Sequence, residues 1–142
     1  MKVIGLAEAG SDFMGQIATL AGPGWLKDPE DGGSAPEELF MKVSLKVGTE
    51  TGEEFTTKGQ LCATSPQREP WASGCSGDSG SPLFICSNSP IHDCTVIAVI
   101  VGRPGHGTQG NCQGDSAGPS VSILRPWIDQ VMEGSKNVTL GM

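Results

Sequence analysis

The sequence predicts an all-β domain: a six-stranded antiparallel β-barrel with one C-terminal helix. Three observations carry this expectation. A chain of 142 residues is long enough for a single domain that buries roughly two-thirds of its unfolded surface. Its 21 Gly and 10 Pro make up roughly a fifth of the chain, against about an eighth on average, while 37% apolar residues still supply a core. Short apolar runs separated by turn residues recur along the chain, as in small all-β domains.

Taken in order, Gln16–Ala21 is the first expected strand, ended by the turn residues Gly22-Pro23-Gly24. The clearest signal follows. Leu39, Met41, Val43, Leu45 and Val47 alternate with Phe40, Lys42, Ser44 and Lys46, the period-2 pattern of a half-buried strand. Gln60–Ala63, Pro82–Cys86, Thr95–Val101 and Ser120–Ile123 complete the set. Val96–Val101 reads as a buried strand, since it is far shorter than the ~20 residues of a membrane helix. Turns are expected at Asp31-Gly32-Gly33, Thr51-Gly52 and Ser89-Pro90, with a long Gly-rich loop from Gly102 to Gly118. At the end, Trp127, Ile128, Val131 and Met132 recur at helical spacing before Gly134, and Pro126 suits a first helical position.

Charge narrows the classes of partner. The chain carries 16 acidic and 9 basic side chains, a net charge of −7. Nucleic-acid and membrane-surface binders cluster Lys and Arg, whereas here half of the acids fall between Asp28 and Glu54 in what reads as a solvated face. No nucleic-acid or membrane partner is expected. The apolar run Val3–Ala7 stops at Glu8, too short for the core of a signal peptide, so no secretion signal is expected in this chain.

Five cysteines, Cys62, Cys75, Cys86, Cys94 and Cys112, suggest an oxidising compartment, and Asn137-Val138-Thr139 is a glycosylation sequon that fits secretion. The odd number leaves at least one thiol over. His92, Cys94 and His106 lie near one another in sequence but lack the short ligand spacings of structural zinc, so neither metal nor cofactor is expected. Gly105-His106-Gly107-Thr108-Gln109-Gly110 spells G-x-G-x-x-G. Without a helix behind it to face a pyrophosphate, it reads as a surface loop.

Cys75-Ser76-Gly77-Asp78-Ser79-Gly80-Ser81-Pro82 carries more chemistry. Glycines on both sides let the backbone bend tightly and let a carbonyl approach, so the Ser79 hydroxyl can be presented beside backbone N–H groups. This stretch resembles the G-D-S-G-G-P signature of the chymotrypsin-like serine endopeptidases, with Ser81 where that family usually has its second Gly. The resemblance extends over roughly Val3 to Met132 and corresponds to the second of the family's two barrels. It implies an inter-barrel linker at residues 1–15, the C-terminal barrel and helix at 16–133, and a tail at 134–142.

By position, the resemblance implies Ser79 as nucleophile and the N–H groups of Gly77 and Ser79 as the oxyanion hole. Asp78 would pair with the amine that activation cleavage creates. A polypeptide substrate would meet a pocket lined by Ser73, Gly74, Cys75 and Ser76 on one side and by Val101 and Gly102 on the other. A neutral Ser73 at the floor favours an apolar or aromatic substrate side chain. It also implies a Cys75–Cys112 disulfide and a Cys86–Cys94 clip across a hairpin, with Cys62 lacking its usual partner.

Cys112-Gln113-Gly114-Asp115-Ser116-Ala117-Gly118-Pro119 resembles the signature too. Only Ser79 leaves enough chain for the strands that follow the family's nucleophile, so Ser116 reads as a loop residue. The resemblance places the triad His and Asp in the first barrel, upstream of this sequence. His92 and His106 read as solvated loop residues, and Asp12 receives no role. The chain alone is therefore expected to be inactive, with the missing N-terminal barrel as its partner, unless it is a non-catalytic half that binds or acts as a decoy.

Overall fold

A computed structural model of the chain describes residues 4–24, 41–48, 60–67, 74, 78–87, 93–101 and 116–135. Along these run strands β1 (Gly5–Leu6), β2 (Ile17–Gly22), β3 (Met41–Val47), β4 (Gln60–Thr64), β5 (Pro82–Cys86), β6 (Cys94–Val99) and β7 (Ser116–Pro119), followed by helix α1 (Val121–Ser135). The strands form one sheet in the order β1-β6-β5-β2-β3-β4-β7.

Every pairing is antiparallel except that of β1, which runs parallel to β6 with Gly5 opposite Thr95. The architecture is thus a mixed seven-stranded sheet with two ends, not the closed six-stranded antiparallel barrel expected. The extra strand has only two residues, too few to show a period. It is held by the Ala7 N–H donating to the Val96 carbonyl at 3.0 Å. The sheet nevertheless curls, because Ala98 on β6 bridges Ser120 beyond β7 and the Val101 N–H donates to the Ala117 carbonyl at 3.0 Å.

Alternation explains the strands flanking the core. On β3, Leu45 and Val47 are buried while Lys42, Ser44 and Lys46 are exposed, matching the sequence pattern. On β2, Ala18 and Leu20 face inward and Ile17 outward. Leu20, Leu45, Leu61, Leu83, Ile97 and Ile100 build the centre of the core. β6 is less buried than its apolar run suggests: Val96, Ile97, Ala98 and Ile100 are enclosed, but Val99 and Val101 are exposed because the chain resumes alternation there. Cys86 and Cys94 face each other across the β5–β6 pair and form a disulfide. Cys62 keeps a buried thiol that donates to the Gln60 carbonyl.

The C-terminal part differs most from expectation. The strand expected at Ser120–Ile123 lies instead at Ser116–Pro119, and Ser116 is a fully buried strand residue opposite Ala63 rather than part of a loop. The small residues Ser116, Ala117 and Gly118 hide the strand from a hydrophobic-pattern reading. Gly118 has no side chain because β7 lies close to β6 there: a Cβ at Gly118 would run into the Val99 carbonyl.

The helix then starts at Val121, placing Pro126 inside it rather than at its first position. Ser120 serves the start instead, its carbonyl accepting the Leu124 N–H at 3.1 Å and its hydroxyl lying within 3.5 Å of the Ile123 nitrogen. Arg125 ties α1 to the N-terminal strand: its Nη1 donates to the carbonyls of Leu6 and Ala7 at 3.0 and 3.1 Å, and its Nε to Asp129 at 2.8 Å.

The close approach of β7 generates a test. Gly118→Ala is expected to lower the unfolding free energy by about 1–3 kcal/mol through overpacking. Gly134→Ala, in open space on the exposed last turn of α1, should instead raise it by up to about 1 kcal/mol. Urea unfolding of the two variants should therefore move in opposite directions.

Candidate active site

Ser79 sits on the turn that leads into β5. The Ser81 N–H donates to the Asp78 carbonyl at 2.9 Å, and Gly80 takes φ of 87° at the third position of the turn, where only glycine is comfortable. Ser79 occupies the second position and is exposed. The turn is bonded twice to the residue that follows β6: Gly80 N–H donates to the Ile100 carbonyl at 2.7 Å, and Ile100 N–H donates to the Ser81 carbonyl at 2.9 Å. With the Ile100 side chain in the core, the turn that carries Ser79 is fixed to a residue packed in the core.

Asp78 points the other way, back toward the end of β2. Its Oδ1 accepts the Gly24 N–H at 2.8 Å, a contact spanning 54 residues of sequence. A Cβ at Gly24 would collide with this carboxylate, and one at Gly22 would collide with both Asp78 and the Ser81 hydroxyl. The Gly22-Pro23-Gly24 segment is therefore more than a turn, because its missing side chains leave the space that Asp78 and Ser81 fill. Ser81, the residue that departs from the family signature, is buried with its hydroxyl against Gly22, which accounts for the tolerance of a side chain there.

Of the expected pocket residues, Gly74 and Val101 are described. Gly74 is buried and donates its N–H to the Ser116 hydroxyl at 2.9 Å, while Val101 is exposed and held to Ala117. Ser73, Cys75, Ser76, Gly77, Gly102 and Cys112 lie outside the described residues, as do His92 and His106. Asp12 accepts the Met14 N–H at 2.9 Å and caps a local turn. The sequence reading missed Gly22, Gly24, Ile100 and Ser116 as parts of this site. For the two glycines the available signal was the Gly22-Pro23-Gly24 turn sequence itself. For Ile100 and Ser116 there was none, since their roles arise from contacts across the sheet.

No family model matches the chain, and no curated protein matches it significantly. Among solved structures, human heparin binding protein superposes on it with a TM-score of 0.69 at 20% identity, over 99% of this chain and 53% of that one. The chain is folded like about half of these chymotrypsin-like structures. A doubly substituted variant of heparin binding protein gives the same values, and a singly substituted one gives a TM-score of 0.68 at 22% identity, covering 99% of this chain and 54% of its own. The chain thus spans about half the length of the solved structures it matches.

The Asp78 contact can be checked by substitution. Asp78→Ala should destabilise the fold by about 1.5–3 kcal/mol, the range for a hydrogen bond to a charged group, and Asp78→Asn by less because it keeps an acceptor for Gly24. Equal losses in thermal unfolding would count against the assigned bond.

Proposed function

We propose that the chain is the nucleophile-bearing half of a chymotrypsin-like serine endopeptidase that acts outside the cell. The observation carrying this reading is an exposed Ser79 on a turn that is pinned by Ile100 and by the Asp78–Gly24 bond. In the reaction, Ser79 Oγ attacks a peptide carbonyl while a base takes its proton. The carbonyl oxygen becomes an oxyanion received by the N–H groups of Gly77 and Ser79. Collapse of this intermediate expels the amine, which takes the proton back from the base, and water then releases the acyl group by the same steps. Ser73 to Ser76, with Val101 and Gly102, would receive the substrate side chain. The Cys86–Cys94 disulfide fits an oxidising compartment.

The base and its orienting carboxylate would come from a second module of about the size that the matched structures have and this chain does not span. Helix α1 offers that module a docking face. Ile123, Leu124, Trp127, Val131 and Met132 are all exposed, Trp127 by 61%, and Leu6 of the neighbouring strand is exposed beside them. Apolar surface concentrated in this way marks an interaction site.

A second reading keeps the same surface but no catalysis. The likeness to a protein named for binding heparin favours a binding module. Heparin itself is a poor ligand for this chain, because a net charge of −7 repels a polyanion.

A fluorophosphonate probe separates the two readings. The native protein from its source should label at Ser79, as located by peptide mass spectrometry, and Ser79→Ala should abolish labelling. The isolated 142-residue chain should react slower by on the order of 10³ or more, since loss of the base alone costs serine proteases about 10⁶ in turnover. A native protein that stays unlabelled moves the conclusion to the binding module. In light scattering the isolated chain should self-associate, and Trp127→Ser should reduce the effect. A stable monodisperse wild-type monomer would remove the case for a docking partner on α1.

A further inference from the structure

The structure assigns Ser116 a role of its own: we propose that it is a positioning residue whose buried hydroxyl tethers Gly74, five residues before Ser79, to β7. The inference rests on the reading of Ser79 as the centre of the site. Ser116 is fully buried at the first residue of β7, opposite Ala63 of β4, yet its side chain is polar. Its Oγ accepts the N–H of Gly74, 42 residues earlier in the chain, at 2.9 Å. Gly74 is also buried and precedes Ser79 by five residues. A buried amide needs an acceptor, and here a side chain provides one.

The packing around this bond leaves little room for another arrangement. A Cβ at Gly74 would lie 3.2 Å from both the Ser116 hydroxyl oxygen and Leu20 Cδ2, and 3.8 Å from Ile100 Cγ2. Ile100 is the same residue that holds the Ser79 turn. The next residue of β7, Ala117, accepts the Val101 N–H at 3.0 Å. Two neighbours on one strand, about 3.4 Å apart along it, therefore hold Gly74 and Val101, one from each expected wall of the pocket. The spacing of the two walls at this level is set by β7, through the Ser116 hydroxyl on the Gly74 side and the Ala117 carbonyl on the Val101 side. An alanine at 116 would remove the acceptor without disturbing the strand pairing, and a threonine would retain it.

Hydrogen exchange read at single-residue resolution by mass spectrometry tests the tether at dilutions where self-association is absent. In S116A the Gly74 amide should exchange about tenfold faster or more, while the amides of Leu20, Leu83 and Ile97 keep their rates. S116T should restore the wild-type rate at Gly74. Should S116A fold poorly, S116C, similar in size with a weaker acceptor, must show the same selective acceleration. An unchanged Gly74 rate or an equal acceleration of all core amides would each overturn the proposal. Exchange requires no turnover, so absence of fluorophosphonate labelling at Ser79 in the native protein would remove the enzymatic reading while the exchange data still decide the tether.

Discussion

Two reciprocal hydrogen bonds between Ile100 and the Gly80–Ser81 pair hold the candidate site to the sheet. They join the end of β6 to the turn before β5, and the Ile100 side chain anchors the junction in the core. From this junction the other contacts follow. The turn can place Ser79 outward because Gly80 takes a positive φ, and Asp78 can reach back to Gly24 because residues 22 and 24 have no side chains to block it. On the far side, Val101 continues from Ile100 to β7, and Gly74 packs against Ile100 and Ser116. Removing the Ile100 bonds would free the turn from the strand that the rest of the site uses as a reference.

The same arrangement accounts for the unequal legibility of the fold. β3 was readable because one of its faces meets the core and the other meets water, so Leu45 and Val47 alternate with lysines. β7 was not, because Gly118 approaches β6 too closely for a side chain, and Ser116, Ala117 and Gly118 carry no hydrophobic period. That misplacement carried into the helix. With β7 ending at Pro119, Ser120 becomes the residue before α1, and Pro126 falls within the helix instead of opening it. β1 escaped notice for a different reason: a two-residue parallel pairing depends on where β6 lies and on Arg125 of α1 reaching its carbonyls.

Surface chemistry also separates into what composition dictates and what docking demands. The acidic balance, with half of the acids between Asp28 and Glu54, sets the long-range field of the molecule and disfavours polyanions whatever the fold. The apolar face of α1 is a local matter. Its residues sit at helical spacing, which by itself describes a helix packed on a core, yet only Val121 and Ser122 are buried. The short contact of α1 with β1 and β6 leaves the remaining stripe exposed, the face on which the proposed second module would dock.

By itself, the sequence determined the mostly β class of fold, the alternation that defines the half-buried strands, and the serine-bearing motif that directs attention to Ser79. These are local properties, fixed by residues within a few positions of one another. The tertiary structure alone decided that the sheet is mixed with seven strands, that Gly24 receives Asp78, that Ile100 clamps the Ser79 turn, and that Ser116 is a buried acceptor for Gly74. Each of these joins residues about 20 to 90 positions apart, and a contact of that reach depends on how strands are ordered and curled, which no local pattern encodes.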